Sequence, residues 1–583
     1  RLLPLLPAGW HPDPRRRHTT DLETALTQVT EPVLRRALEL AWPLIGLPHH
    51  LGVHPGGVVI APGPLTNWVP LQWSPKGFRI TQFDHTDVEA IGLPKMDLLG
   101  IRALTVLADA AALVRRRHDP AFRLEAIPTD DAATAALLAR GETIGVFQCE
   151  SWGARRTLRQ LRARTVEDLA VANAFFKPGP ATGGMARAFI RRYRGEEPVT
   201  FLHPALAPIL ARTRGVLLFQ EQILRVATEI AGLDWEQADH LRRGMSKFQP
   251  DEMAAMREAF IAGCCREGGP GLSRRQAETL WEQVIAFAGY GFNQGHATAY
   301  AEVSYRSAYL KAHYPAEFFC ARLADWGGFH HPAVYAAEAR RLGIPVHPPH
   351  VNHSGLRFTL SEDETGAVAL WMGLGQVRGL RRRLIRALLA ARREGAFTDL
   401  CDLWARVPLH PQELTHLIQC GALDGLGESR AALLAEVGRV PPAGQARQLA
   451  FDFGAEAVPA ETATQRLTWE RYILGWPVSV TPLDTVPVSD LATLADAQMQ
   501  PGRWMPIAGY RLPGWTGGKG FFLSDGRTFA LAVAPQTPPA WQPLRVHGRW
   551  LTDEWGMEWL EVDLVTGAYA GTLSEPEPSS SAA

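Results

Sequence analysis

The hydrophobic period changes along this chain, and no single layered domain accommodates the changes. Residues 46–110 hold short apolar runs split by Gly and Pro, among them GGVVIAP at 56–62, which reads as strand. From about 111 to 345 apolar residues recur at helical spacing, with start signals such as Thr165-x-x-Asp168. Residues 356–437 read as two Gly-punctuated helical hairpins, 438–486 as a linker that begins rich in Pro, Ala, Gly and Gln, and 487–570 as short alternating strands suited to a small barrel. Residues 1–45 read as loop then helix, with Thr20-Asp21-Leu22-Glu23 as a capping box, and the tail 571–583, including SEPEPSSSAA, as disordered. For 583 residues, about three to five domains of a multidomain α+β protein are expected.

Charge narrows the partner classes only locally. Lys+Arg and Asp+Glu both number 60, so any polyanion surface must come from clustering. The six cysteines form no C-x-x-C pair and read as reduced thiols of a cytoplasmic protein. No apolar run is long enough to cross a bilayer, so no membrane partner is expected. The first residue is Arg1, which reads as a start inside a longer protein.

Several clusters carry chemistry. Ala90–Leu93 reads as a strand leading into Lys95-Met96-Asp97, which puts an acid and a Lys on alternate residues at the end of a buried element. Asp84 and Asp87 read as structural. The turn Lys177-Pro-Gly-Pro cannot continue a helix. In ADHLRRGMSKFQPDEM, Arg242 and Arg243 are adjacent on a helix, with Lys247 one turn on; such a run is either a solvated face or a phosphate-binding fork. His296 opens a helix after a Gly-punctuated aromatic turn, as a core or capping residue or as a ligand contact. GLGQVRGLRRRLIRALLAARREG (373–395) combines Gly373 and Gly375 with Arg378, Arg381, Arg382, Arg383 and Arg386, the densest basic patch. A Gly-x-Gly turn of this kind offers backbone N–H groups to a phosphate. In the linker, Gln448, Leu449, Phe451 and Phe453 are apolar enough to dock on a partner or to fold back on their own domain. In the barrel, Trp515, Phe521, Phe522 and Trp550 are candidates to stack on single-stranded bases or to fill the interior.

Taken together, these motifs resemble family C of the bacterial replicative DNA polymerases, the alpha subunit of polymerase III. The run ITQFDHTDVEAIGLPKMDLLG (80–100) looks like its palm strand, FAGYGFNQGHATAYAEVSYRSAYLKAHYPAEFF (287–319) like its fingers, and 504–565 like its OB-fold. Residues 323–354 and 47–57 look like the short, error-prone branch. The resemblance implies a thumb remnant at 1–45, a partial palm of the Pol beta-like nucleotidyltransferase type at 46–110, mostly helical fingers at 111–355, a helix-hairpin-helix clamp-binding region at 356–437, a linker with a clamp peptide at 438–486 and an OB-fold at 487–570. It implies that Asp97 with Lys95 belongs to the catalytic site, that Asp97 holds metal, and that Arg242, Arg243, Lys247, Lys177 and His296 face the nucleotide. It further implies DNA contact by Gly373, Gly375, Arg378, Arg381 and Arg382, and clamp contact by Gln448, Leu449, Phe451 and Phe453. Implied cofactors and partners are two Mg²⁺, primer-template DNA, dNTPs, a sliding clamp and other replisome or mutasome subunits. The family's D-x-D palm strand is not found in the chain.

Two functional classes follow. One is the C-terminal part of a DNA-directed DNA polymerase, serving replication or error-prone repair synthesis. It would be inactive alone, because one carboxylate cannot hold two Mg²⁺. The other is a non-catalytic DNA- and clamp-binding accessory factor.

Overall fold

The computed structural model describes residues 26–27, 29–44, 52–175, 185–243, 250–288, 292–325, 327–437, 458–516, 518 and 520–567. The chain divides into two compact units, Arg1–Ile101 and Arg102–Ala583. The first break therefore falls before the helix at 102, not after residue 110. Among the described residues no helix is long and apolar enough to cross a membrane.

The first unit is small. Helix α1 (Pro32–Ala41) starts on Pro and buries Leu38 against Leu26 and Val29. Strand β1 (Gly57–Val59) is followed by the hairpin of β2 (Leu71–Trp73) and β3 (Arg79–Thr81), then α2 (His85–Ala90) and β4 (Lys95–Asp97). β4 pairs antiparallel with β1, and β2 with β3. Buried Val69, Val88 and Leu93 form the core beneath them. The strand expected at Ala90–Leu93 is instead the end of α2 and a turn. Asp84 caps α2 by accepting the N–H groups of Thr86 at 2.8 Å and Asp87 at 3.0 Å. Gly92, at φ 82°, ends it. The strand proper is Lys95–Asp97, and it is partly exposed rather than buried.

The second unit is helical first. α3 (Arg102–Arg117), α4 (Ala132–Ala139), α5 (Trp152–Leu161), α6 (Val166–Phe175) and α7 (Met185–Tyr193) lead to α8 (Gln220–Arg225), α9 (Trp235–Arg243), α10 (Pro250–Cys265) and α11 (Arg274–Ala288). α12 (Gln294–His313), α13 (Pro315–Ala324) and α14 (Pro332–Arg341) complete this part. The capping box at Thr165 and Asp168 is present, each side chain accepting the other's N–H at 3.2 and 3.0 Å. The helices at 207–284 enclose their own core, which includes Phe260, Trp281 and Val284.

A three-stranded sheet, β5 (Val346–His347), β7 (Val368–Trp371) and β6 (Thr359–Glu362), precedes the helices α15 (Arg382–Glu394), α16 (Leu400–Arg406), α17 (Pro411–Gln419) and α18 (Arg430–Val437). The span expected to be linker up to 486 contains α19 (Ala463–Leu474), capped by Thr462 and Gln465, with Ile473, Leu474 and Trp476 in the main core. Its apolar face makes it part of the hairpin body.

After α20 (Leu494–Met499), strands β8 (Met505–Arg511), β9 (Phe521–Ser524), β10 (Phe529–Val533), β11 (Pro543–Thr552) and β12 (Glu558–Gly567) close a barrel in the order β10-β12-β11-β8-β9. Only β10–β12 is parallel. Alternation divides each strand: Ile507, Leu523 and Val546 fill the barrel, while Ala508 and Phe522 join the main core. The fold is thus multidomain α+β, with a body of helical hairpins and a C-terminal five-stranded closed barrel of OB type.

Candidate functional site

Asp97 and Lys95 share one face of β4. Lys95 Nζ lies 2.6 Å from Asp97 Oδ1, and His54 Nδ1 lies 3.7 Å from the same oxygen. The Lys95 hydrogen bond lowers the Asp97 pKa below the ordinary carboxylate range. The Asp97 side chain is 42% exposed. Gly57 lies directly opposite Asp97, and a Cβ there would stand 2.9 Å from both Lys95 Cε and His54 Nδ1, so those two side chains would have to shift. His54 and Gly57 were not singled out from the sequence, although H-P-G-G before a strand marks a close backbone approach.

Mg²⁺ demands several oxygen ligands in near-octahedral array. Asp97 offers one carboxylate, already shared with Lys95. Among the described residues no group of three His, Cys, Asp or Glu side chains comes together as a metal site. The residues present fit one ligand position and do not make up a two-ion site.

A second cluster lies at the first turn of α8. Arg242, near the end of α9, donates through Nη1 to Gln220 Oε1 at 3.3 Å and through Nε to Asp239 at 2.8 Å. The Gln220 N–H donates to Phe292 O at 3.0 Å, a step before α12. Glu221 accepts from Asn293 Nδ2 at 2.7 Å and from the Gln294 N–H at 2.8 Å. Asn293 in turn caps α12 through the His296 N–H at 2.7 Å. The His296 ring is exposed and rests against Tyr300, centroids 4.0 Å apart. It is neither a core residue nor the cap. Arg242 and His296, from separate segments, are thereby both tied to α8. Gln220, Glu221 and Asn293 escaped the sequence reading because they act only through that tertiary meeting. Lys177, Lys247 and the side chain of Arg243 lie outside the described residues, as do Gln448, Leu449, Phe451 and Phe453.

The hairpin region corrects the basic-patch reading. Gly373 and Gly375 serve backbone packing: a Cβ would come 2.6 and 2.7 Å from Leu356 O. The N–H groups of Leu374 and Gly375 donate to Gly355 O and Leu356 O at 2.9 and 3.0 Å. They have no free donor direction for a phosphate. Arg381 forms a two-pronged pair with Glu413 at 2.8 and 2.7 Å, and Arg378 lies 4.3 Å over the Tyr472 ring. Arg381 is therefore committed to a buried carboxylate, whereas Arg378 stays at the surface over the exposed Tyr472 ring. Arg382, Arg383 and Arg386 are exposed on α15 with no ion pair among the described residues.

In the barrel, Phe521, Phe522 and Trp550 are buried, so they are packing residues and not a stacking platform. Trp515 is 65% exposed, beside Phe329 at 5.6 Å.

Models of known families match three stretches. The bacterial DNA polymerase III alpha NTPase domain matches residues 10–100, the bacterial DNA polymerase III alpha subunit finger domain 103–268, and a helix-hairpin-helix motif 343–433. The DNA polymerase III subunit alpha of Thermus aquaticus is 41% identical over 414 residues, 69% of this chain and 33% of that protein. That of Halalkalibacterium halodurans is 34% identical over 555 residues, 91% and 48% respectively. That of Escherichia coli K12 is 37% identical over 420 residues, 70% and 36%. The chain spans between a third and about half of the length of these relatives.

Proposed function

The chain belongs to the bacterial DNA polymerase III alpha-subunit family, and from that premise we propose that it contributes to template-directed transfer of nucleotides from dNTPs to a primer 3′-OH. The observation that carries this reading is that the first turn of α8 holds both the Arg242 guanidinium, through Gln220, and the start of α12 that carries the exposed His296, through Glu221. A guanidinium fork matches phosphate oxygens, and an exposed imidazole on a helix N-terminal turn offers a further donor. In this reading Arg242 leaves Asp239 and Gln220 to take the triphosphate. Arg243, Lys247 and Lys177 are assigned to the same anionic substrate.

Asp97 would fill one ligand position of a Mg²⁺ site, where the ions would supply charge at the phosphate oxygens. Lys95, 2.6 Å away, keeps that carboxylate oriented. Exposed Arg382, Arg383 and Arg386 contact the DNA backbone, a role now moved from Gly373 and Gly375 to the surface of α15. Gln448, Leu449, Phe451 and Phe453 are assigned to a sliding clamp. The likeness of residues 323–354 to the short, error-prone branch supports a role in repair synthesis.

The test is binding of a fluorescent dNTP to the 583-residue chain. Arg242→Ala is expected to weaken it at least about tenfold, the worth of one charge-assisted contact. Unchanged affinity rejects the assignment and favours the accessory-factor reading.

A further inference from the structure

The β2–β3 hairpin carries a surface that the sites above leave unused. Trp73 and Arg79 are direct cross-strand partners, and the Arg79 guanidinium lies 5.2 Å from the Trp73 ring. Trp73 is 66% and Phe78 65% exposed, and Lys76 between them is exposed as well. Neither Lys76 nor Arg79 has an acidic partner among the described residues.

The turn that presents them is rigid. The Ser74 N–H donates to Phe78 O at 2.8 Å, and Ser74 Oγ accepts the Phe78 N–H at 3.1 Å. The Gly77 N–H closes the loop on Ser74 O at 3.0 Å, with Gly77 at φ 79°. Ser74 itself is buried. Two large aromatics held in water on an ordered turn, interleaved with two unpaired cations, match a polyanion with flat bases.

We propose that the hairpin at 71–81 is a nucleic-acid contact, with Trp73 and Phe78 against bases or sugars and Lys76 and Arg79 on phosphates. It deepens the polymerase reading by adding a contact to the same substrate. Charge complementarity favours DNA over a protein partner, for which two unpaired cations beside the aromatics have no evident use.

The test is fluorescence anisotropy of the 583-residue chain with labelled primer-template DNA over a range of salt. Trp73→Ala with Phe78→Ala is expected to weaken binding about tenfold with little change in salt dependence. Lys76→Ala with Arg79→Ala should flatten the log–log salt slope by about two. Arg382→Ala with Arg383→Ala and Arg386→Ala serves as the control for the wider reading. If the unsubstituted chain and the hairpin variants bind within about twofold of each other with the same slope, the hairpin proposal is overturned and the polymerase reading stands. If the unsubstituted chain does not bind at low salt, both are overturned.

Discussion

In the unit that ends at Ile101, Asp97 keeps 42% of its side chain in water, and its pair with Lys95 lies on a two-stranded sheet over a core of three buried residues. In the hairpin body, Arg430 and Glu470 pair at 3.0 Å with side chains 1% and 0% exposed. Asp424, Ser479 and the Gln419 carbonyl take Arg430's remaining donors, and the N–H groups of Val478 and Ser479 donate to Glu470. The same kinds of charge hold the architecture in one region and remain available to a ligand in the other. Burial makes the difference, because a buried charge must be fully paired, whereas an exposed one is screened and free to exchange partners.

The sharpest break of that contrast is Arg430→Ala. It leaves Glu470 enclosed without its cationic partner, and should cost about 3–5 kcal/mol in urea denaturation followed by circular dichroism. Asp97→Asn should leave the same measurement nearly unchanged. A loss at Asp97 comparable to that at Arg430 would erase the distinction.

Acid separates the two regions next. Burial lowers the His330 pKa to about 4, against an ordinary 6.5, and holds those of His350 and His353 down as well. Unfolded histidines take up protons below about pH 6.5 while these folded ones resist. Stability is therefore full above about 6.5 and is lost as pH falls toward about 4, where the His330 contribution levels off. Melting followed between pH 7 and 4 should show this loss, and His330→Gln should reduce it. Glu338, held at about 2 by Lys311 and Arg341 despite its burial, adds a further loss as pH falls below about 4.5.

The 583-residue chain is expected not to extend a primer by itself, because Asp97 is the one metal carboxylate assigned. Mg²⁺-dependent extension that survives Asp97→Ala would sink both that expectation and the site. The smallest stability effect is expected from Arg382→Ala with Arg383→Ala and Arg386→Ala, within about 0.5 kcal/mol, beside a clear loss of DNA affinity. A large stability loss there would return α15 to the structural class of Arg381.

The parts legible beforehand were those encoded locally. The Thr165/Asp168 box, the helical period through 345, the strand at 57–59 and the barrel alternation all depend on residues a few positions apart. The strand reading of Ala90–Leu93 failed because its apolar residues finish a helix whose cap, Asp84, had been read only as structural. α19 follows a Pro-, Ala- and Gly-rich stretch whose linker composition masks the local start signal Thr462-x-x-Gln465. Glu413 could not be assigned to Arg381, nor Glu470 to Arg430, from positions 32 and 40 residues away.

By itself the sequence determined the family, the order of helical and barrel regions, and the pairing of Asp97 with Lys95, which two-residue alternation on a strand enforces. Tertiary structure alone decided which arginines are committed to internal carboxylates and which face solvent. It also decided which barrel aromatics are interior, and that Gln220 and Glu221 of α8 hold Arg242 of α9 and the start of α12. The reason is physical: a cap or a period is settled within one or two turns of chain, whereas the partner of a charge is settled by which distant surface folds against it.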